Sequence, residues 1–221
     1  MIKNPDVVIV DYGLGNLFSI KSACEFAGMR AEISSSIDHL QTASLVILPG
    51  VGAFAEAMRH LKQLDLIQPL KDLAASGKPM VGICLGMQLL MTESFEFGCH
   101  KGLGIIPGKV LPLKDELKHT TSKVPHIGWN KIEPSHSQLW QNSLLKNVPQ
   151  NAMMYFVHSY YCQPADSQTI LSKTNYGGFD FCSAVQLDNI SAFQFHPERS
   201  GAEGLILYKN LAMRLANSVK E

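Results

Sequence analysis

Three short, wholly apolar runs, Val7–Val10, Leu45–Leu48 and Met80–Ile83, do most to limit what this chain can fold into. Each has the length of a buried strand, and each is followed within a few residues by Gly or Pro. Helix-like stretches around Leu17–Ala27 and Phe54–Ser76 lie between the first run and the third, so the order is βαβ. That alternation predicts a parallel sheet with right-handed crossovers and functional loops at the C-terminal strand ends.

After about Gly98 the texture changes. Short β-rich runs, Lys109–Leu111, Met153–Val157, Ile170–Thr174, Ser183–Gln186 and Ser191–Phe195, are separated by Pro, Gly, Asn and Asp turns. This half is expected as an antiparallel addition to the same core, making residues 1–221 a single α/β domain. From Gly204 to Val219, apolar residues recur at helical spacing and predict a closing amphipathic helix. The polar segment Leu113–Lys123, "LKDELKHTTSK", is expected as an exposed loop.

Composition excludes several classes of function. The 221 residues are 46% hydrophobic and 17% charged, enough to bury one sizeable core. Lys+Arg and Asp+Glu are both 19, so no excess of charge points to a nucleic-acid or anionic-membrane partner. The first apolar run is too short for a signal peptide or a membrane span, so a cytoplasmic location is expected. The five cysteines, Cys24, Cys84, Cys99, Cys162 and Cys182, are odd in number and lack CxxC spacing, which argues against a disulfide framework or a zinc site. No metal and no cofactor are expected.

One thiol has a distinctive setting. Gly82-Ile83-Cys84-Leu85-Gly86 sits between a buried-type strand and the helix-like "MQLLMTE", the context of a nucleophile elbow carrying sulfur. A sharp strand-to-helix turn strains the central residue, and neighbours without a Cβ let other chain pass close. The helix N-terminus supplies N–H groups for an oxyanion and favours the thiolate. Cys24, Cys99, Cys162 and Cys182 lack this context and are read as packing or incidental residues.

A thiolate nucleophile needs a base, and the base needs an orienting group. In "FQFHPERSG", His196 and Glu198 flank Pro197, which favours extended geometry before it and so places both side chains on one face. In "LILPGVGAF", Pro49, Gly50 and Gly52 end a strand in a loop able to aim a backbone N–H at a charge, although a tight βα turn accounts for it equally well. Gln88 lies one helical turn beyond Cys84, within reach of a ligand above the sulfur.

"PGVGAF", "GICLGMQLL", "PHIGWN", "YFVHSYY" and "FQFHPERSG", in that order, resemble the class I (triad) glutamine amidotransferases. "PHIGWN" and "DYGLGN" narrow the likeness to the glutaminase subunits of imidazole glycerol phosphate synthases. The resemblance runs nearly end to end. It implies a flavodoxin-like, doubly wound and mostly parallel sheet with added antiparallel strands. It also implies Cys84 as nucleophile, His196 as general base and then acid, and Glu198 as the group orienting His196. Gly50, Val51, Gly52 and Leu85 are implied as the oxyanion hole, and Gln88 with the backbone of His158, Ser159 and Tyr160 as the site for L-glutamine. Trp129, Asn130 and Arg199 are implied to face a (βα)8-barrel cyclase subunit, which uses the ammonia to make imidazole glycerol phosphate in histidine biosynthesis. Three alternatives stand beside this: a paralogous amidotransferase supplying ammonia for amidino sugars of surface polysaccharide, a cysteine-elbow protease or deglycase, and a glutamine-sensing subunit with a dead site. The downstream His196-Pro197-Glu198 argues against the last two.

Overall fold

The computed structural model describes residues 5–118, 120–136 and 139–218. Its first half is the expected alternation: β1 (Val7–Val10), α1 (Leu17–Phe26), β2 (Ala31–Ser34), α2 (Ile37–Thr42), β3 (Leu45–Leu48), α3 (Phe54–Gln63), α4 (Ile67–Ala75), β4 (Met80–Ile83) and α5 (Leu85–Leu89). Strands β5 (Met91–Ser94), β6 (His100–Lys101) and β7 (Ile106–Pro112), helix α6 (Leu113–Glu116), and strands β8 (His126–Lys131) and β9 (Glu133–Pro134) follow. The chain closes with β10 (Met153–His158), β11 (Tyr160–Pro164), β12 (Ile170–Tyr176), β13 (Phe179–Leu187), β14 (Ile190–Phe193) and α7 (Gly201–Ser218).

Strands β2-β1-β3-β4-β14 form the parallel part of a 12-stranded sheet that continues through antiparallel β13, β11 and β7. The three apolar runs are β1, β3 and β4, and every residue in them is buried. Their side chains alternate between two cores. Val7 and Ile9 pack with Ile20, Leu207 and Tyr208 on one face, while Val8 and Val10 pack with Phe54, Leu61 and Leu70 on the other. Helices on both faces explain why no polar alternation survives in these strands. Strands β8 and β10 pair antiparallel as a separate two-stranded ribbon, with Tyr155 opposite Trp129.

The run Ser191–Phe195, expected in the antiparallel half, supplies β14, which lies parallel to β4. Three further local expectations are corrected. The helical stretch Phe54–Ser76 is two helices, parted where Asp65 adopts φ 54° between α3 and α4. The run "MQLLMTE" is helical only through Leu89. Its last carbonyls are taken by the following loop, with Leu103 N–H donating to Leu89 and both Ile105 and Ile106 N–H donating to Leu90, and the chain then enters β5. The segment Leu113–Lys123 is not simply an exposed loop. Its first turn is α6, and Leu113 and Leu117, four residues apart on one face, are both buried. Residue 119 of that segment lies outside the described residues, as does Val219 of the closing helix.

The elbow fixes how these layers meet. A Cβ on Gly86 would lie 1.9 Å from the Leu48 carbonyl oxygen, a backbone atom that cannot step aside. Gly86→Ala is therefore expected to lower the thermal midpoint by about 5–10 °C, from an overpacking cost of about 2–3 kcal/mol. Gly28→Ala, where a Cβ would touch nothing but φ is +86°, is expected to cost about 1 kcal/mol. Calorimetry of the two variants checks the order.

Candidate active site

Cys84 leaves β4 with φ 54° and ψ −110°, a conformation a non-glycine residue holds only when its surroundings impose it. Its N–H donates to Phe193 O at 2.7 Å, which pins the end of β4 to the end of β14. Gly82 and Gly86 are glycine because of close approach. A Cβ at Gly82 would lie 3.0 Å from Met87 backbone, and the Gly86 site is closed by Leu48. The elbow's thiol thus projects at the C-terminal end of the parallel strands, where such sheets place ligands.

His196 and Glu198 follow β14 directly. Their side chains meet, with His196 Nδ1 2.8 Å from Glu198 Oε1 and both side chains almost wholly buried. The geometry differs from a simple extended pair, because Pro197–Arg199 is a 3₁₀ turn that swings the carboxylate back towards the imidazole. Ser200 Oγ donates to His196 O at 2.6 Å and accepts from Tyr155 N–H, tying this turn to β10. Burial by itself lowers the His196 pKa, but the neighbouring Cys84 sulfur and the Glu198 carboxylate outweigh it and raise the value above the usual histidine range. The surroundings therefore favour a protonated imidazole beside the sulfur. His196 Nε2 is buried and makes no aligned hydrogen bond among the described residues, and the thiol itself points at Val157 O, 3.8 Å away. When the thiol ionises it gives up that donation, and the sulfur becomes an acceptor for the His196 Nε2–H beside it.

The Gly50–Gly52 loop lies against the elbow. A Cβ on Gly50 would meet Leu85 Cβ at 2.8 Å and Gly86 N at 3.1 Å, so the loop backbone passes directly over the first turn of α5. Leu85 is the first residue of that helix, where N–H groups have no partner within the helix. Val51, Gly52, Cys84, Leu85 and Gln88 line one side of a cavity of about 280 Å³, and Val157, His158, Ser159 and Tyr160 line the other. The cavity suits an amino acid.

Four residues that the sequence alone did not single out belong here. Glu96 lines the cavity and its carboxylate accepts from Phe54 N–H, putting a negative charge on the wall. Tyr12 donates to Pro49 O at 2.6 Å and anchors the loop from below. Gln194, fully buried, places Nε2 3.7 Å from Cys84 Sγ and accepts from Gln88. The signal for it was present, since Gln194, like Glu198, lies two residues from His196. His126, the fourth, donates to His158; it stands in "PHIGWN", but nothing in that motif indicates this role.

His158 has no acid–base role in prospect. Its Nδ1–H donates to Tyr160 O at 2.9 Å, leaving Nε2 to accept from His126 Nδ1 at 3.0 Å, and His126 Nε2 accepts in turn from Asn130 Nδ2 at 3.3 Å. Burial pushes His158 down to about 3 and His126 down to about 4. Asn130 also donates to Asn175 O, a hydrogen bond at the surface. Trp129 and Arg199 face outward. Trp129 is 52% exposed and stands edge-on to Tyr155, and the Arg199 guanidinium lies 4.6 Å from the Tyr155 ring centroid. Ile127, two residues before Trp129 on β8, is 60% exposed and extends this apolar face. Burial drives the thiols of Cys24 and Cys182 up to about 12 and raises Cys162 well above its usual value.

A protein with a strained cysteine elbow, a following His-Pro-Glu and a doubly wound sheet has the build of a class I glutamine amidotransferase. The family profile Glutamine amidotransferase class-I matches residues 8–212, and the chain belongs to that family. Within it, the relative named Imidazole glycerol phosphate synthase subunit HisH from Geobacter metallireducens is 42% identical over 212 residues, 95% of this chain and 99% of that protein. The protein of the same name from Aquifex aeolicus is 42% identical over 92% of this chain and 94% of its own length. This chain is a member of the HisH family. The solved structure described as PurLQS from Thermotoga maritima shares the fold at a TM-score of 0.72, with 18% identity over 96% of this chain and 99% of that one. Among the described residues no helix is long and apolar enough to cross a membrane.

The neutral histidine pair has a consequence for stability. Its folded pKa values lie below the usual 6.5, so the unfolded chain binds the extra protons as pH falls. The stability these groups contribute is complete above pH 6.5 and is lost as pH drops towards 4. Urea unfolding from pH 7 to pH 4 should show that decline, and His126→Phe should make it shallower.

Proposed function

We propose that Cys84, His196 and Glu198 are the catalytic triad that hydrolyses L-glutamine, and that the ammonia released passes to a docked cyclase subunit. One observation carries this reading: a strained thiol beside a buried His196–Glu198 pair, at the floor of an amino-acid-sized cavity. The Cys84 sulfur attacks the side-chain amide carbon, and the carbonyl π electrons move onto oxygen. Leu85 N–H and an N–H of the Gly50–Gly52 loop meet that oxyanion. His196 gives its Nε2 proton to the amide nitrogen, the C–N bond breaks and ammonia leaves a γ-glutamyl thioester on Cys84. Water then attacks the thioester, His196 takes its proton, and the C–S bond breaks to release glutamate. Glu198 orients the imidazole and stabilises its cationic form.

Gln88 and Glu96 suit the amino-acid end of the substrate. Both Gln88 Nε2 hydrogens are spent on Tyr160 O and Gln194 Oε1, each at 3.1 Å, so Gln88 offers its oxygen to an N–H of the ligand. The Glu96 carboxylate offers charge to an ammonium group. Neutral ammonia is the nucleophile and is mostly protonated near pH 7, so direct transfer to an acceptor site conserves it. Ile127, Trp129 and Arg199 form the face that receives the partner, read as the (βα)8-barrel that makes imidazole glycerol phosphate. The same site chemistry would serve an amidino-sugar paralogue, and the 42% identity to HisH proteins favours the histidine-pathway partner.

Cys84→Ala is expected to abolish glutamate release, His196→Ala to cost several orders of magnitude and Glu198→Ala less. The Cys84→Ala complex should still form cyclised product from ammonium salts at alkaline pH, where neutral ammonia is abundant. Near-normal glutamate release by Cys84→Ala would overturn the triad. A still-assembled complex that also fails with ammonium would overturn the ammonia-donor role.

Substitution at the outward face should separate two quantities. Trp129→Ala and Arg199→Ala should leave residual glutaminase in the isolated chain and weaken its stimulation by the cyclase. The ratio of glutamate released to product formed, with and without partner, measures this coupling.

A further inference from the structure

We propose that Gln194 is a further catalytic residue, which stabilises the Cys84 sulfur as a thiolate and fixes which atom of Gln88 faces the substrate. This rests on the reading of Cys84 as the nucleophile. Gln194 is 0% exposed, and a buried primary amide must spend its hydrogens and lone pairs on protein. Its two ends meet the site. Nε2 lies 3.7 Å from Cys84 Sγ, and Oε1 accepts from Gln88 Nε2 at 3.1 Å. Position 194 is held independently, because its backbone N–H donates to Ser183 O at 2.9 Å on β13.

The orientation of the amide follows from its neighbours. Turned the other way, Gln194 would set an oxygen against a sulfur that becomes negative, and a second N–H₂ against the Gln88 N–H₂ group, which Tyr160 O already holds in place. In the orientation found, the N–H···S bond is weak while the sulfur is a neutral thiol and strengthens once it carries charge. Gln194 therefore acts selectively on the charged form. The same residue keeps Gln88 Nε2 turned away from the cavity, so the cavity is offered an acceptor.

The test uses the whole chain and follows alkylation of the Cys84 peptide by iodoacetamide across pH, alongside glutamine hydrolysis. Gln194→Met keeps the side chain's length and removes the donor. Gln194→Glu keeps its shape and sets a carboxylate against the sulfur. The other ionisable groups around the sulfur, His196 with Glu198, Tyr12, His158 and Cys162, are unchanged in both variants. Cys84 alkylation at pH 7 is expected to slow on the order of tenfold in Gln194→Met, with its pH midpoint raised, and further in Gln194→Glu. The kcat/KM for glutamine is expected to fall at least about tenfold in both. A purely structural role for Gln194 would lower the thermal midpoint without this ordering of pH profiles. A folded Gln194→Met with the wild-type profile and kcat/KM would overturn the proposal, as would a Gln194→Glu profile that is unmoved or shifted to lower pH should the Met variant fail to fold. Loss of activity in Cys84→Ala together with either result would leave the triad reading intact. Retained activity in Cys84→Ala would instead remove the reading on which the proposal stands.

Discussion

The site hangs on the approach of Gly86 to the Leu48 carbonyl. Because no Cβ intervenes, α5 can start directly against the end of β3, and the chain between β4 and α5 has room only for the strained turn that Cys84 occupies. The same contact brings the Gly50–Gly52 loop over the first turn of α5. On the other side, Cys84 N–H to Phe193 O fixes β14, and with it everything that follows Phe193, including His196 and Glu198. Three strand ends thus converge on one sulfur. Strain of about 1–3 kcal/mol at Cys84 is held by burial on both faces of the sheet.

Two buried histidines near the reaction centre show that burial keeps an imidazole neutral unless charged partners outweigh it. His196 and His158 are 3% and 5% exposed, so both lose hydration. His196 faces a carboxylate and a sulfur able to carry charge, and its pKa rises. For His158 burial prevails and its pKa falls to about 3, the Tyr160 carbonyl opposing the fall and His126 and His196 adding to it. One is therefore suited to move protons and the other to hold a backbone carbonyl in place. That carbonyl, Tyr160 O, also receives Gln88, so the neutral pair lends rigidity to the wall of the cavity. On β8 the exposed Ile127 and Trp129 make the outward apolar surface, while Asn130 is hydrogen-bonded within this chain.

The helix dipole expected at the elbow is smaller than "MQLLMTE" implies. With five residues, α5 provides a turn and a half of N–H groups rather than a long aligned helix. The polarity of the site comes instead from individual groups placed close to the sulfur: His196, Gln194 and the loop over Leu85. Each arrives from a different part of the chain.

The local pattern by itself determined a good deal. Apolar runs with no polar alternation become strands only where both faces are covered, so β1, β3 and β4 could be read to the residue. Glycines flanking Cys84 could be read as a close-packed turn, because sterics at a Cβ are local. The likeness of five short motifs sufficed to indicate the family. Tertiary structure decided what depends on distant partners. Strand β5 replaced the end of a helix because a later loop took its carbonyls, and Leu113–Lys123 began as a packed helical turn because the core was there to receive Leu113 and Leu117. Glu96 carries no sequence signal, and Tyr12 and His126 stand inside quoted motifs without a role that could be read there, since a polar residue gains its meaning from what lies 3 Å away. Only the folded chain sets 42 residues of separation aside to bring Glu96 to Phe54, and 110 to bring Gln194 to Cys84. Side-chain chemistry and local sterics are written along the chain, whereas hydrogen-bond partners and desolvation belong to the packed whole.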